Sequence, residues 1–140
     1  MIAGTMTLRD IPLFATSSDR SLEIITSIAH ETSYPAGAVL VREGDIGDSL
    51  IVIRSGSATV RQAGRELPGL GAGDFLGEIA LIDGGERTAT VRAQSEVYCL
   101  LLPGRPFMKM VRGEPEIAVA LLRQLAGRLR ELQTRTHLTA

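Results

Sequence analysis

Eleven of the fifteen glycines fall between Gly37 and Gly85, and they cut that stretch into pieces too short for helices. The pieces are apolar and rich in β-branched residues, at 38–41, 49–55, 57–61, 65–70, 88–93 and 97–102. Between them stand Glu43-Gly44-Asp45, Ser55-Gly56-Ser57, Ala63-Gly64, Gly71-Ala72-Gly73-Asp74 and Asp83-Gly84-Gly85. Glycine allows positive φ and Asp or Ser bonds its own backbone, so these are turns. Many short strands at regular spacing predict an antiparallel sandwich or roll. A parallel sheet is excluded, because its crossovers need a dozen residues or more. Ile51-Val52-Ile53 and Ala58-Thr59-Val60 flank Gly56 and predict a tight hairpin there.

The β zone is flanked by helices. Ser17 and Ser18 offer an N-cap, Asp19 and Glu23 suit the positive end, and Leu22, Ile25, Ile28 and Ala29 recur at helical spacing through His30. Residues 106–111 fit a short turn of helix. Glu114-Pro115-Glu116 then starts a longer helix, from 115 to about 135. Its Leu122, Leu125, Leu129 and Leu132 repeat at 3, 4 and 3 residues. Fewer than two heptads favour packing on the β zone over a coiled coil.

At 140 residues, 44% hydrophobic and 22% charged, the chain is expected to form one domain, 1–140. Its parts are a helical segment 7–31, a β zone 32–103 and C-terminal helices 105–135. A formal charge of −1 argues against polyanion binding, so no nucleic acid is expected by this domain alone. The longest apolar runs, 97–102 and 117–122, are too short to span a bilayer, and residues 1–10 carry no export signal. No membrane partner and a cytoplasmic location are therefore expected. Cys99 stands alone, which excludes an intrachain disulfide, and lies in an apolar run as a small buried residue. His30 and His137 have no second ligand at metal spacing, so no metal and no cofactor are expected. No histidine in the β zone can act as base for a serine nucleophile, and no paired carboxylates stand out, so the chain reads as no enzyme.

The chemistry concentrates in residues 73–91. A glycine-rich approach leads to a short apolar turn of helix carrying Glu78, and Arg87 follows beside the Thr88 hydroxyl. Gly77 lets a ligand approach the backbone, and free N–H groups at a helix start attract an anion. Arg87 can fork two donors onto a phosphate. An ionised Glu78 only accepts, so it suits a sugar hydroxyl rather than a phosphate. Together they suit a phosphorylated sugar. Spacing alone leaves a structural ion pair between Glu78 and Arg87 as an equal alternative.

Leu76-Gly77-Glu78-Ile79-Ala80-Leu81 and Arg87-Thr88-Ala89 resemble the phosphate-binding cassette of the cyclic nucleotide-binding domain family. Ile11-Pro12-Leu13-Phe14, Pro35-Ala36-Gly37, Glu43-Gly44-Asp45, Gly47-Asp48, Ser55-Gly56 and Gly73-Asp74 stand in family order, so the resemblance covers about residues 8–132. It implies a mainly β fold with flanking α-helices: an eight-stranded antiparallel β-roll of jelly-roll type, an N-terminal helix and a C-terminal lid helix. It implies that Glu78 binds the ribose 2′-hydroxyl and Arg87 the cyclic phosphate. Backbone N–H groups near Ala80 and Thr88, with the Thr88 hydroxyl, complete the cradle, and Gly77 and Ile79 shape the ribose pocket. Arg128 falls where lid arginines occur in the catabolite activator and bacterial channel branches, and Val60 walls the base. Leu76 replaces the usual Phe, Glu86 stands where kinases and channels carry Pro, and Leu132-Gln133 replaces a polar pair that contacts adenine. The implied function is a sensor of cyclic AMP, with cyclic GMP as the alternative ligand, that signals by moving its last helix. The alternatives are a non-binding member serving as a docking or dimerisation module, or the regulatory piece of a channel, transcription factor or enzyme. The implied partners are an effector or a second copy joined through the C-terminal helix.

Overall fold

A computed structural model of the chain describes residues 6–136. His137, and residues 1–5 of the segment read as lacking an export signal, lie outside the described residues. Two 3-10 turns, Leu8–Asp10 and Pro12–Phe14, lead into helix α1 (Asp19–Ile28). The Ser18 hydroxyl caps α1 by accepting from the Ser21 N–H at 3.1 Å. Eight strands follow: β1 (His30–Tyr34), β2 (Val39–Val41), β3 (Ser49–Ser55), β4 (Ala58–Gln62), β5 (Arg65–Leu70), β6 (Phe75–Leu76), β7 (Thr90–Ala93) and β8 (Val97–Pro103). Helix α2 (Glu78–Asp83) lies between β6 and β7, and α3 (Gly104–Gly113) and α4 (Pro115–Thr136) end the described chain. None of the described helices is long and apolar enough to cross a membrane.

All strand pairs are antiparallel and form two four-stranded sheets, ordered β1-β8-β3-β6 and β2-β7-β4-β5. This is the expected roll with flanking helices. Strand β3 holds it together because both its faces are buried. Side chains alternate across a strand. Leu50 and Val52 therefore enter one core with Phe14, Phe75, Leu102, Phe107 and Ile117, under the helices. Ile51 and Ile53 enter the other, between the sheets, with Val60, Val91 and Cys99. Strand β8 alternates likewise, with Leu100 and Leu102 under the helices and Val97 and Cys99 inside the roll.

Several expectations need correction. The hairpin around Gly56 does not form, because β3 and β4 belong to different sheets. Gly56 instead takes the chain from one sheet to the other at φ 93°. A Cβ there would lie 3.0 Å from the Val97 Cα and overlap the Glu96 carbonyl oxygen. The tight hairpin is β4–β5, where Ala63 and Gly64 have φ of 50° and 77°. Paired positive φ values match the twist of the flanking strands. Strands β1 and β6 are absent from the apolar runs, since His30–Tyr34 is polar and half exposed and Phe75–Leu76 is two residues long. Helix α1 ends at Ile28, before His30, and β7 begins at Thr90 rather than Thr88. Helix α3 is a full ten residues.

The leucine stripe of α4 does not pack on the β zone as a whole. Leu125 packs against the helical core, but Leu122, Leu129 and Leu132 are 65%, 57% and 45% exposed. The inward line of α4 runs through the buried Ile117 and Leu121 and continues, at 3.6 residues per turn, through Gln124 and Arg128. The leucines lie roughly a quarter turn away, by the same 3.6-residue period. This rotation turns Arg128 toward the roll.

The sheet-switching corner makes a measurable prediction. Gly56→Ala forces a strained φ and a backbone overlap, so it should cost about 2–4 kcal/mol in urea denaturation. Gly64→Ala, whose Cβ meets nothing within 4 Å, should cost about 1–2 kcal/mol, from left-handed strain alone. Equal costs would mean that the Gly56 corner is not tight.

Candidate functional site

Strand β6 delivers the chain to Gly77, which caps α2 in the left-handed conformation at φ 94°. Glu78 is the first helical residue, and its side chain is buried at 5% exposure. Its N–H and those of Ile79 and Ala80 fall in the first turn, where no intrahelical carbonyl accepts. Gly84 ends the helix, again left-handed, at φ 72°. The chain then returns through Arg87, which is clipped to the loop before β3. The Gly44 N–H donates to the Arg87 carbonyl at 2.9 Å, and the Arg87 N–H donates to the Asp45 carbonyl at 2.7 Å.

Arg87 is only 7% exposed, and its guanidinium reaches inward to Ser49. Its Nη1 donates to the Ser49 carbonyl at 3.0 Å, and its Nη2 to the Ser49 hydroxyl at 3.4 Å. Two glycines make room for it. A Cβ on Gly47 would come within 2.7 Å of Nε, and one on Gly77 would overlap Nη1 and sit 2.8 Å from the Ser49 carbonyl oxygen. Among the described residues Arg87 has no ion pair. Burial pulls its guanidinium below the ordinary range, and the negative potential of Asp48, Glu78 and Tyr34 opposes that. A guanidinium has five N–H donors, and Ser49 takes two of them.

Glu78 is not paired with Arg87, so the ion-pair alternative for those two residues fails. Its partner is Arg128 on α4, whose Nη1 donates to both carboxylate oxygens, at 3.1 and 3.2 Å. Arg128 Nη2 donates to the Phe75 carbonyl, and the guanidinium lies 4.1 Å from the centroid of the Phe75 ring. One side chain thus ties α4 to β6 and to the start of α2 by charge, hydrogen bond and cation–π contact.

A cavity of about 920 Å3 opens between α2, the β4–β5 hairpin and α4. The structure brings all the sequence-predicted site residues to it: Gly77, Glu78, Ile79, Ala80, Arg87, Thr88 and Arg128, with Val60 on the far wall. Glu78, Arg87 and Thr88 line its α2 side, Leu67 and Leu70 line the hairpin side beside Gln62, and Gln124 and Glu131 line it from α4. Such a cavity can take a ligand with an anionic, hydroxyl-bearing head and a flat apolar body. Among the described residues no group of three His, Cys, Asp or Glu could hold a metal ion. Burial pushes the Cys99 thiol up to about 11, which keeps it protonated and unreactive. Gly47-Asp48 belongs to the resemblance, but nothing in the sequence gives Gly47 its role of making room for Arg87; Ser49 and the Phe75 carbonyl carry no sequence signal.

Residues 31–114 match the family described as Cyclic nucleotide-binding domain. The match covers more than half of the chain, which therefore belongs to the cyclic nucleotide-binding domain family. A cyclic nucleotide-gated potassium channel of Rhizobium etli is 40% identical over 108 residues, covering 77% of this chain and 30% of the channel. The crystal structure of the Thermus thermophilus catabolite activator protein superposes with a TM-score of 0.79 at 31% identity, over 91% of this chain and 62% of that one. The N-terminal domain of a transcriptional regulator from Streptomyces coelicolor superposes at 0.68 and 36% identity, over 91% of this chain and 94% of that one. The chain spans less than two thirds of the length of the curated relatives it matches.

The Arg128 clamp is open to a thermodynamic test. Arg128→Ala leaves a buried carboxylate without its cation and should cost about 1–3 kcal/mol of stability. Adding Glu78→Gln should recover part of that loss, because no charge is then stranded. Additive effects of the two substitutions in denaturant unfolding would show that the pair is not coupled.

Proposed function

We propose that the chain binds cyclic AMP in this cavity and reports occupancy through α4. The observation that carries the reading is a buried, unpaired Arg87 and a buried Glu78 facing one cavity from the two ends of a single cassette. Arg87 has donors to spare for the exocyclic phosphate oxygens, and the N–H groups near Ala80 and Thr88, with the Thr88 hydroxyl, lie on the same wall. Glu78 has lone pairs left for the ribose 2′-hydroxyl while it still accepts from Arg128. Gly77 and Ile79 shape the sugar pocket, Val60 walls the base, and Leu67 and Leu70 on the hairpin side suit a purine. Relatives named for cyclic nucleotide gating and for cyclic AMP reception support the ligand class. Cyclic AMP is put ahead of cyclic GMP on the relatives named for it, a cyclic AMP receptor protein and a cAMP-dependent protein kinase regulatory subunit. The chain acts as one regulatory unit without chemistry of its own. The exposed Leu122 and Leu129 favour a second copy, or an effector, against α4.

Calorimetry should give micromolar or tighter binding, about −8 kcal/mol, with cyclic AMP ahead of cyclic GMP. Arg87→Ala should lose about 2–4 kcal/mol of that through the missing charge-assisted fork. Glu78→Ala should weaken binding and also shrink the penalty for the 2′-deoxy nucleotide. No heat and no thermal shift at millimolar ligand would favour the non-binding docking module. Full discrimination of the deoxy analogue by Glu78→Ala would remove the ribose role.

The reporting step rests on Gly127, one residue before the clamp. Glycine lowers helix stability there by ~1 kcal/mol relative to alanine, so the helix beyond it opens more readily. Ligand should therefore raise amide protection over residues 120–135, and Arg128→Ala should abolish most of that gain. A Cβ on Gly127 meets nothing within 4 Å. Gly127→Ala should thus protect the same amides without ligand and tighten binding by about fivefold. Equal protection with and without nucleotide would rule the mechanism out, whatever the affinity.

A further inference from the structure

Away from the cavity, α3 carries three cations on one line. Arg105, Lys109 and Arg112 stand at i, i+4 and i+7, all exposed, within a narrow arc about 10 Å long. The opposite face of α3 is buried through Phe107 and Met110. The helix contains no acidic residue, and Lys109 is the only lysine of the chain. Among the described residues none of the three has an ion pair or a side-chain hydrogen bond. The acids that follow are engaged elsewhere: Glu114 pairs with Arg20 at 3.7 Å, and Glu116 accepts from the Ser21 hydroxyl at 2.7 Å.

This ridge does not serve the helix that carries it. Arg105 sits in the first turn, at the positive end of the dipole, where a cation is disfavoured. Arg105 and Lys109 are like charges at i, i+4, which is also unfavourable. Only Arg112, in the last turn, suits its place. The surroundings narrow the choice of partner. A helix that lies on a membrane needs an exposed apolar face, and no large exposed hydrophobic residue falls on α1 or α3. A nucleic-acid backbone is a long polyanion that calls for a basic field well beyond three cations, and this chain carries a net charge of −1. A short acidic helix needs neither an apolar face nor a wide basic field. Carboxylates at its own i, i+4 and i+7 repeat the spacing of the three cations.

We propose that the outward face of α3 is a docking surface for an acidic helical segment of a partner protein, held by Arg105, Lys109 and Arg112. The surface stands apart from the cavity but touches its frame. The Gly104 N–H donates to the Asp48 carbonyl at 2.7 Å, and a Cβ on Gly104 would lie 2.6 Å from Leu81 of α2. A bound partner would therefore rest one residue from the cassette.

The probe is a dye-labelled synthetic helix with glutamates at i, i+4 and i+7, set against the same peptide with glutamines. Fluorescence anisotropy with the full chain should detect binding of the glutamate peptide. Raising the salt from about 20 to about 300 mM, or substituting R105Q/K109Q/R112Q together, should weaken it by about tenfold or more. The triple variant should unfold at the parent temperature or above, since its cations have no intramolecular partners to lose. Lys109→Arg should keep the affinity. A carbodiimide should couple the Lys109 amine to a peptide carboxylate, and Lys109→Arg should lose that cross-link. No binding at millimolar peptide would overturn the proposal. So would unchanged binding by the triple variant, equal binding of the glutamine peptide, or coupling only at the N-terminal amine. Tighter binding of phosphatidylserine vesicles or of a DNA duplex than of the peptide would also overturn it.

Discussion

The site is organised around a cation held out of water without a carboxylate. Burying a guanidinium costs several kcal/mol unless its donors are satisfied. Here the Ser49 carbonyl and hydroxyl take part of the load, and each neighbouring element is shaped to let them do so. Gly47 and Gly77 remove side chains that would occupy the guanidinium's space. The backbone bonds of Arg87 to Gly44 and Asp45 fix where its side chain starts. Ser49 opens β3, the strand with a core on each face, so the anchor sits on the most constrained element of the fold. A cation positioned this firmly, with donors left over and no carboxylate paired to it among the described residues, is the observation on which the proposed anion site rests.

How much of this is legible in the sequence depends on whether a side chain carries the signal. The glycine-punctuated runs reveal the roll, and Glu114-Pro115-Glu116 reveals the start of α4, because propensity and capping act locally. The Gly56 corner misleads. A turn residue between two apolar runs looks the same whether the runs pair with each other or enter different sheets. The deciding contact, between Gly56 and the backbone at Glu96 and Val97, is distant in sequence. Strand β1 is hidden because its residues are polar, and it is held by its register with β8, from His30 opposite Leu101 to Tyr34 opposite Val97. At the site, the chemistry of Glu78 and Arg87 is readable from residue type, and Arg128 enters only through the family resemblance. Their partners are not readable. Arg87 rests on a carbonyl, and Glu78 meets a residue fifty positions away.

The same rotation that exposes the leucines of α4 gives the helix its hold on the site. Had Leu122, Leu125, Leu129 and Leu132 faced inward, Arg128 would have turned by about a quarter turn, to the flank of the helix and away from Glu78. Because Ile117 and Leu121 define the inward line, the next turns carry Gln124 and Arg128 over the cavity. Leu125, Leu129 and Leu132 border the cavity from the flank of the helix, and beyond the buried Leu121 its docking rests on Leu125 and a polar clamp.

That clamp divides the labour of the two buried groups. Arg87 is fastened to the roll, through β3 and the loop before it, and among the described residues makes no hydrogen bond or ion pair to α4. Glu78 belongs to the cassette, but its partner is on α4. A ligand that engaged Arg87 alone would be held by the roll and would leave the helix equilibrium untouched. Binding shifts an equilibrium only through contacts that differ between its states. A ligand that also engages Glu78 acts on the carboxylate that orders Arg128, and Arg128 reaches that carboxylate only while α4 is docked. Under the proposed function, affinity and signalling would therefore be separable: Arg87 would chiefly hold the ligand, Arg128 would chiefly sense it, and Glu78 would couple the two.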